Sequence, residues 1–289
     1  MVILSLIARA GGLNPELAVS LRNALGGGDL QWLAPDEAAE FTLGTAPGHV
    51  AQIWQDLQTQ GVDLNLLPAQ NRAKRVLLAD MDSTMIQQEC IDELADAAGV
   101  GAQVKEITAR AMNGELDFEG ALTERVALLR GQPEALIAQV LESHITLMPG
   151  GATLLTTMKV QGAYAALVSG GFTAFTSRVA AQLGFDENRA NMLESEAGFL
   201  TGTVARPILG RDAKVQALNE ISARLGLTPA DVLAVGDGAN DLGMLDAAGL
   251  GVALHAKPSV QAQCQVRVNH GDLTALLFLQ GFAKSDFAT

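Results

Sequence analysis

Four short apolar runs, each ending in small or polar residues and followed by a helical pattern, constrain the fold of this chain most. The runs are VLLADMD from Val76, AYAALVSGG from Ala163, DVLAVGDG from Asp231 and LGVAL from Leu250. Short apolar runs that alternate with helices are typical of buried parallel strands. The sequence therefore predicts a parallel α/β sheet. Its polar residues gather at the carboxyl ends of the strands, the edge at which such sheets bind ligands.

A long helical insertion, roughly residues 90–145, separates the first two runs. Apolar residues recur in it at helical spacing, in the groups Ile91, Leu94 and Ala98; Val104, Ile107 and Ala111; Leu122, Val126 and Leu129; Ile137, Val140 and Leu141. Because the insertion directly follows a strand that ends in Asp80 and Asp82, we expect it to form a cap over the ligand-binding edge. A helical bundle that only covers the sheet is the alternative.

Residues 1–70 have a different pattern and predict a separate small α+β domain. The strand-like VILSLIA is followed by a helix from Pro15 to Leu25, two weaker strand candidates, a helix over about residues 48–60 and the strand-like VDLNLL. This order predicts a β-α-β-β-α-β unit. The polar segment from Pro68 to Arg75 is interpreted as the linker to a second domain, residues 71–289.

Composition excludes two classes of protein. The net charge of −13 and the lack of a basic stripe argue against nucleic-acid binding. The apolar N-terminus has no basic region and reaches only to Arg9, which favours a buried strand over a signal peptide, and no run approaches the ~20 apolar residues of a membrane span. Cys90 and Cys264 have no zinc-ligand spacing and are interpreted as small apolar side chains in a reducing compartment. We therefore expect a soluble, cytoplasmic protein.

Two aspartates end the first run, in LLADMDST. Asp80 and Asp82 occupy alternate positions of an extended chain, about 6 to 7 Å apart along it, and repel each other at neutral pH. A bound cation would offset that repulsion, whereas a solvated loop is the alternative for an isolated Asp-x-Asp. The second run ends in Ser169, Gly170 and Gly171, whose hydroxyl and amides either approach an anion closely or form only a tight turn.

Two further motifs follow in the last third of the chain. Lys214 lies near a helix start in GRDAKVQAL, with Asp212 as a candidate N-cap. The helix dipole disfavours a cation there, which points to a nearby anion, although a solvated lysine is the simpler interpretation in isolation. GDGAND places Asp237 and Asp241 four residues apart, on one face of a helix. It begins like a dinucleotide fingerprint, but Asp241 replaces the third glycine and the sequence has no P-loop, so nucleotide binding is disfavoured.

The order of these motifs along the chain is acidic pair, hydroxyl, lysine, acidic pair. A divalent cation among Asp80, Asp82 and Asp237 would offset the carboxylate repulsion, while Ser169 and Lys214 would hold the oxygens of a phosphoryl group. Carboxylates without histidine or cysteine spacing favour Mg²⁺ over zinc. The sequence therefore predicts a site for phosphate and a metal ion.

The same motifs resemble those of the haloacid dehalogenase (HAD) superfamily of aspartyl phosphotransferases. From about Lys74 to Leu279 the chain resembles the phosphoserine phosphatase family within it, on the segments DSTMIQQECIDELA, ITARAMNGELDFEGALTERVALLRG, LVSGGF and AVGDGANDLGML. The resemblance implies a HAD-like Rossmannoid parallel sheet with a helical cap inserted after the first strand. It also implies Mg²⁺-dependent hydrolysis of O-phospho-L-serine, the last step of serine biosynthesis.

The resemblance assigns a role to each motif residue. Asp80 would be the nucleophile that forms a phosphoaspartyl intermediate, and Asp82 the general acid and then the general base. Mg²⁺ would be held by the Asp80 side chain, the Asp82 backbone carbonyl and Asp237, with Asp241 as a supporting carboxylate. The transferring phosphoryl group would be bound by four residues, Ser169, Gly170, Lys214 and Asn240.

The insertion would choose the substrate. By resemblance, Glu89 would bind the ammonium group of the substrate and Arg125 its carboxylate, for which an arginine fork is well suited. Met112 and Phe118 would shield the site from water. The resemblance further implies that residues 1–70 form an ACT-like regulatory domain, and it leaves a homodimer open.

Two other functions stay open at this point. The first keeps the mechanism and changes the substrate: a hydrolase of another small phosphomonoester, or a phosphotransferase to an acceptor alcohol. The second is an amino-acid sensor, in which the N-terminal unit binds a ligand and the α/β body is only a scaffold.

Overall fold

A computed structural model describes residues 1–113 and 115–288 of the chain, without the side chain of Met112. In chain order its strands are β1 Val2–Ala8, β2 Gln31–Ala34, β3 Ala38–Leu43, β4 Val62–Pro68, β5 Val76–Ala79, β6 Tyr164–Phe172, β7 Glu187–Asn191, β8 Leu193–Glu196, β9 Phe199–Val204, β10 Val232–Gly236, β11 Leu250–Leu254 and β12 Val266–Val268. Its α-helices are α1 Pro15–Ala24, α2 Val50–Gln58, α3 Cys90–Ala97, α4 Gly101–Met112, α5 Phe118–Ala127, α6 Ala135–Ser143, α7 Gly151–Val160, α8 Thr173–Leu183, α9 Arg211–Arg224, α10 Leu242–Ala247, α11 Pro258–Gln261 and α12 Ala275–Leu279.

Three sheets organise these strands. The largest has the order β12-β11-β10-β5-β6-β7, and its β10–β11, β11–β12 and β6–β7 pairs are parallel. A second, antiparallel sheet has the order β2-β3-β1-β4, and β8 and β9 form a hairpin. The predicted α/β class with a small α+β N-terminal region is therefore confirmed. Strand β5 is buried throughout, as a strand covered on both faces must be.

The described chain forms two compact units. The first comprises residues 1–78, 149–165 and 218–288, and it contains the antiparallel sheet. Apolar side chains of that sheet and of α1 and α2 form one buried cluster that includes Leu4, Leu6, Phe41 and Leu57. The predicted order β-α-β-β-α-β is the order found over residues 1–70. The division of the chain at residue 70 stays a prediction.

Within this first unit, the edge strand β4 is fastened to the segment around β12. Asp63 of β4 is fully buried, and it accepts hydrogen bonds from the backbone N–H groups of Asn269, His270 and Gly271 at 2.9, 2.9 and 3.3 Å. Asn65 exchanges two hydrogen bonds with the backbone of Arg267. The N-terminal sheet is thus held to the parallel sheet by a buried charge and a buried amide.

The second unit comprises residues 79–148 and 166–217. It contains the insertion, in which α3 packs on α4 and α6, and α5 packs on α4 and β9. The two ends of the insertion meet in an antiparallel bridge between Ile86 and Leu147. Flanking bonds join the backbones of Gln87 and Thr146, and the side chain of Gln88 to Thr146. The insertion therefore leaves and re-enters the sheet at one place.

Among the described residues, no helix combines the length and the apolar character that crossing a membrane requires.

Candidate active site

The Asp80 side chain lies directly after β5, at the predicted ligand-binding edge. It is 4% exposed, and its Oδ1 lies 2.6 Å from Nζ of Lys214, which is 1% exposed. The backbone N–H of Met81 donates to the same oxygen at 2.8 Å. Helix α9 begins at Arg211, so Asp212 lies within its first turn and not at the N-cap. The Asp80 carboxylate is therefore an anion that offsets the unfavourable interaction of Lys214 with the helix dipole.

Both oxygens of the Asp82 carboxylate accept a hydrogen bond. Oδ1 accepts the backbone N–H of Cys90 at 2.9 Å, and Oδ2 accepts the Ser169 hydroxyl at 3.2 Å. Burial raises the pKa of Asp82, and the hydrogen bonds from Cys90 and Ser169 and the charge of Lys214 offset that rise only in part. A carboxyl group with a raised pKa retains a proton closer to neutral pH, as a general acid must.

The SGG segment, Ser169 to Gly171, lies at the carboxyl end of β6 and is packed tightly against Asp82. The backbone N–H of Gly171 donates to the Ser169 hydroxyl at 2.8 Å. A Cβ added at Gly171 would lie 2.7 Å from Oδ2 of Asp82, closer than real Cβ contacts. Glycine at this position therefore lets the backbone approach the carboxylate.

Three carboxylates could hold a metal ion. Asp80 directly follows β5, and Asp237 and Asp241 follow β10, so all three come after the carboxyl end of a strand of the parallel sheet. The fully buried Asp241 accepts the backbone N–H of Gly238 at 2.9 Å. Asn240 lies in the same turn, and a Cβ added at Gly238 would collide with its amide oxygen. A set of hard oxygen donors fits a divalent cation such as magnesium or calcium better than zinc.

The predicted substrate-choosing residues come from the insertion. Glu89 precedes α3, is exposed and accepts the Ser83 hydroxyl at 2.8 Å. Arg125 on α5 donates from Nε to the carbonyl of Ala121 at 3.2 Å. Burial lowers the pKa of Arg125, while the charges of Asp92, Glu89 and Asp82 act in the opposite direction. The guanidinium therefore shares its electrostatic surroundings with two of the predicted site residues.

Phe118, the first residue of α5, reaches the SGG segment at the end of β6. Its ring lies beside Gly170 and Gly210, and a Cβ added at Gly170 would lie 3.0 Å from Cζ of the ring. This aromatic side chain therefore packs against the backbone of the SGG segment, and its predicted shielding role stays a prediction. Met112, for which the sequence predicts the same shielding role, has a side chain outside the described residues.

Two residues with structural parts in the site were not identified from the sequence. Asn191, which ends β7, donates to the carbonyls of Gly170 and Leu209 and accepts the N–H of Leu209. It ties the SGG loop to the segment before α9, and a lone asparagine in ENRAN carries no sequence signal for that role. The sequence indicates only an apolar side chain for Cys90, yet its backbone N–H donates to Oδ1 of Asp82 at 2.9 Å.

A parallel sheet whose first strand ends in a lysine-paired aspartate, with a second aspartate two residues on, defines a class of phosphoryl-transfer enzymes. The chain belongs to the haloacid dehalogenase-like hydrolases, whose family model matches residues 77–246.

Several relatives of the chain carry a more particular name. It is 45% identical over 224 residues to the phosphoserine phosphatase of Haemophilus influenzae, a match that covers 78% of this chain and 71% of the relative. The unliganded crystal structure of a probable phosphoserine phosphatase from Vibrio cholerae is similar over 99% of this chain and 88% of that one, with a TM-score of 0.80 and 32% identity. A substrate-bound phosphoserine phosphatase structure matches over 71% of this chain and 97% of that one, with a TM-score of 0.66 and 38% identity.

Proposed function

We propose that this chain hydrolyses O-phospho-L-serine to L-serine and inorganic phosphate, the last step of serine biosynthesis. The observation that carries the proposal is the buried Asp80–Lys214 pair with Asp82 held beside it by Ser169 and Cys90. The 45% identity to a named phosphoserine phosphatase supports the choice of substrate. The free thiols of Cys90 and Cys264 support a cytoplasmic location.

In the first half-reaction Asp80 is the nucleophile. Its carboxylate oxygen attacks phosphorus, a P–O bond to Asp80 forms, and the bond from phosphorus to the serine oxygen breaks. Asp82, whose pKa is raised by burial, gives a proton to the leaving serine oxygen. Lys214 balances negative charge on the transferring group, since its ammonium is buried beside the attacking carboxylate.

In the second half-reaction Asp82, now ionised, is the base. It takes a proton from a water molecule, whose oxygen attacks phosphorus as the bond to the Asp80 oxygen breaks. Phosphate leaves, Asp80 is regenerated as a carboxylate, and Asp82 is again protonated. Ser169, Gly170 and Asn240 hold the phosphoryl oxygens through both steps.

Mg²⁺ is the metal ion that we assign to this reaction. Asp80, the Asp82 carbonyl and Asp237 would hold it, with Asp241 in support, and the oxygen-rich cluster of three carboxylates is in keeping with that choice. When bound, the ion supplies positive charge that offsets repulsion between the attacking carboxylate and the phosphoryl group.

Substrate choice falls to the insertion. Glu89 would bind the ammonium group and Arg125 the carboxylate of phosphoserine, while Phe118 and Met112 exclude water. The burial of Arg125 supports this role, because an ion pair in a partly desolvated place is stronger than one in water. Residues 1–70 would form an ACT-like regulatory domain, and the proposal includes a homodimer.

The proposal is tested by phosphate release from a panel of about twenty phosphomonoesters, with Mg²⁺ and with EDTA. We expect phosphoserine to be the best substrate and EDTA to abolish its turnover. Strong cleavage of another ester with none of phosphoserine would overturn the substrate, and binding of an amino acid without any turnover would favour a sensor.

Arg125→Ala tests substrate choice separately. Without the guanidinium, kcat/KM for phosphoserine should fall by about 30- to 1000-fold, the usual effect of truncating one partner of a buried charge pair. Phosphoethanolamine lacks the carboxylate, so its kcat/KM should change by less than about threefold. Equal losses for the two substrates would mean that Arg125 does not contact the carboxylate.

A further inference from the structure

Ser83 lies directly after Asp82 and has an unusual backbone conformation. Its φ angle is +52°, in the left-handed region that a residue with a Cβ atom rarely adopts. Its backbone N–H donates to the carbonyl of Gln88 at 3.1 Å, which closes a loop in the segment between β5 and α3. A conformation of this kind persists only where the surrounding structure holds it, and such residues cluster at active sites. The closed loop therefore sets the position of the Ser83 side chain.

The side chain of Ser83 contacts one of the two residues that the sequence predicts to choose the substrate. Its hydroxyl donates to Oε1 of Glu89 at 2.8 Å. Glu89 directly precedes α3 and is exposed, whereas Ser83 is half-buried. A glutamate side chain has three rotatable bonds, and a hydrogen bond from a fixed partner restricts their rotation. The Ser83 hydroxyl thus orients the Glu89 carboxylate.

A serine hydroxyl is suited to this purpose because it is neutral. It donates to a carboxylate without adding a positive charge, whereas a lysine or arginine in its place would compete with a substrate ammonium group. A side chain that is already ordered loses less conformational entropy when a ligand binds, so its affinity for that ligand is higher. Ser83 therefore prepares Glu89 for a cationic group and leaves the negative charge of the carboxylate in place.

We propose that Ser83 is a positioning residue for substrate specificity, whose hydroxyl holds the Glu89 carboxylate in the orientation that binds the ammonium group of the substrate. The inference rests on the proposed function, since that function assigns the ammonium group to Glu89. Neither the motif pattern nor the family resemblance gives Ser83 a role. Because Ser83 acts through Glu89, loss of the hydroxyl should weaken the binding of amino-bearing substrates and leave the chemical step intact.

Two esters separate recognition of the ammonium group from the rest of the reaction. One is phosphoserine, and the other is its deamino analogue, in which hydrogen replaces the amino group. In Ser83→Ala we expect KM for phosphoserine to rise about three- to tenfold, the usual effect of losing one hydrogen bond, with kcat within about twofold of wild type. For the deamino analogue, kcat/KM should stay within about twofold of wild type.

Two further variants serve as matched controls. Glycine accepts a φ angle of +52° without strain but has no hydroxyl, so Ser83→Gly should raise KM as Ser83→Ala does. Ser143 is exposed and donates its hydroxyl to the carbonyl of Gln139 on the same helix, α6, so Ser143→Ala should leave both kinetic constants unchanged. Thermal melting of each variant verifies that it is folded at the assay temperature.

A double-mutant cycle with Glu89→Ala tests whether Ser83 acts through Glu89. In the Glu89→Ala background, the added Ser83→Ala change should alter kcat/KM for phosphoserine by less than about twofold, because the hydroxyl has lost its partner. An equal loss in both backgrounds would overturn the inference, since the hydroxyl would then act on another group.

Three more results would contradict a positioning role for Ser83. Equal losses on both esters, or a loss confined to kcat, would mean a general disturbance beside Asp82. A wild-type KM in Ser83→Gly, with a raised KM in Ser83→Ala, would mean that the backbone conformation matters and the hydroxyl does not. An unchanged KM in Ser83→Ala would mean that Glu89 binds equally well without this partner.

The proposed substrate can fail separately from the role of Ser83. Wild-type protein that prefers another amino-bearing phosphomonoester would refute phosphoserine alone, and the same cycle on that ester and its deamino analogue would still decide the role of Ser83. Wild-type protein that turns over phosphoserine best, but without coupling between Ser83 and Glu89, would refute the positioning role alone.

Discussion

The Asp80 carboxylate and the Lys214 ammonium form an ion pair almost wholly removed from water. Their side chains are 6% and 2% exposed, and the two atoms are 2.6 Å apart. At such burial a charge is tolerated only when it is paired, so each group requires the other. The pair thereby fixes the orientation of Asp80, the proposed nucleophile. It also explains a lysine in the first turn of a helix, where the dipole disfavours it.

Asp80→Asn should remove turnover and leave the fold in place. The amide keeps the shape of the side chain but cannot attack phosphorus, so we expect kcat to fall at least about a thousandfold. Acid-quenched wild-type protein should carry a phosphoryl group on the peptide that contains Asp80, visible by mass spectrometry. A variant that retains activity, or a phosphorylated peptide elsewhere, would contradict the assignment of the nucleophile.

At the scale of single elements, a glycine decides how closely the carboxyl end of β6 approaches Asp82. Gly171→Ala would place a methyl group 2.7 Å from Oδ2 of Asp82 and 3.1 Å from the Ser169 hydroxyl. We expect kcat for phosphoserine to fall about a hundredfold because the carboxylate must turn away. Gly44→Ala is the control, since nothing lies within 4 Å of the added atom, and it should leave kcat unchanged. Equal kcat in both variants would show that the end of β6 accommodates the added methyl group without displacing Asp82.

A second element, the short turn Pro229–Asp231 before β10, gives a pH-dependent prediction. Hydrogen bonds from the backbone N–H and hydroxyl of Thr228 lower the pKa of Asp231, aided by the charges of Arg75 and Lys74. A lowered folded-state pKa means that ionised Asp231 stabilises the protein above its ordinary pKa, about 4, and that this contribution is lost as the pH falls through the lowered value.

Asp231→Asn should therefore be less stable than wild type at pH 7, and the difference should shrink towards pH 3. Urea unfolding of both proteins at the two pH values measures it. A difference that stays constant with pH would mean that the capping bonds do not depend on the charge of Asp231.

The sequence predicts best those elements whose own residues show a regular apolar pattern. The buried strands β5, β6, β10 and β11 consist of apolar runs, and the helices of the insertion have regular apolar spacing. Strand β7, ENRAN, has no apolar run; it forms because its backbone pairs with β6 and because Asn191 bonds Gly170 and Leu209. The hydrogen-bond partners of Asp82 are not predictable from the sequence either, because the fold, and not a recognisable spacing along the chain, brings Cys90 beside it.

On the scale of the whole molecule, polar contacts as well as apolar packing attach the N-terminal sheet to the residues around β12. The buried Asp63 receives three backbone N–H groups from residues 269–271. Arg72 adds a forked ion pair with Glu40 and donates to the carbonyls of Phe278 and Leu279. Such groups are costly to separate, because each buried partner would be left unsatisfied. The N-terminal sheet is therefore an integral part of the first compact unit.

Asp63→Ala should lower the free energy of unfolding by about 3–5 kcal/mol, since it leaves three N–H groups, at least partly buried, without an acceptor. The exposed Asp29→Ala is the control, with an expected change within about 0.5 kcal/mol. Guanidinium unfolding followed by the fluorescence of Trp32 and Trp54 reports on this sheet. A loss of less than 1 kcal/mol for Asp63→Ala would mean that the sheet is only loosely attached.

The antiparallel bridge between Ile86 and Leu147 has a consequence for protein engineering and for how new specificities arise. Because both ends of the insertion pass through this one bridge, a different helical module can be spliced there without re-threading any strand of the sheet. Such a graft would exchange Arg125, which we propose binds the substrate carboxylate. It would also discard Cys90, whose backbone N–H donates to Asp82, so the incoming module would have to supply a donor of its own.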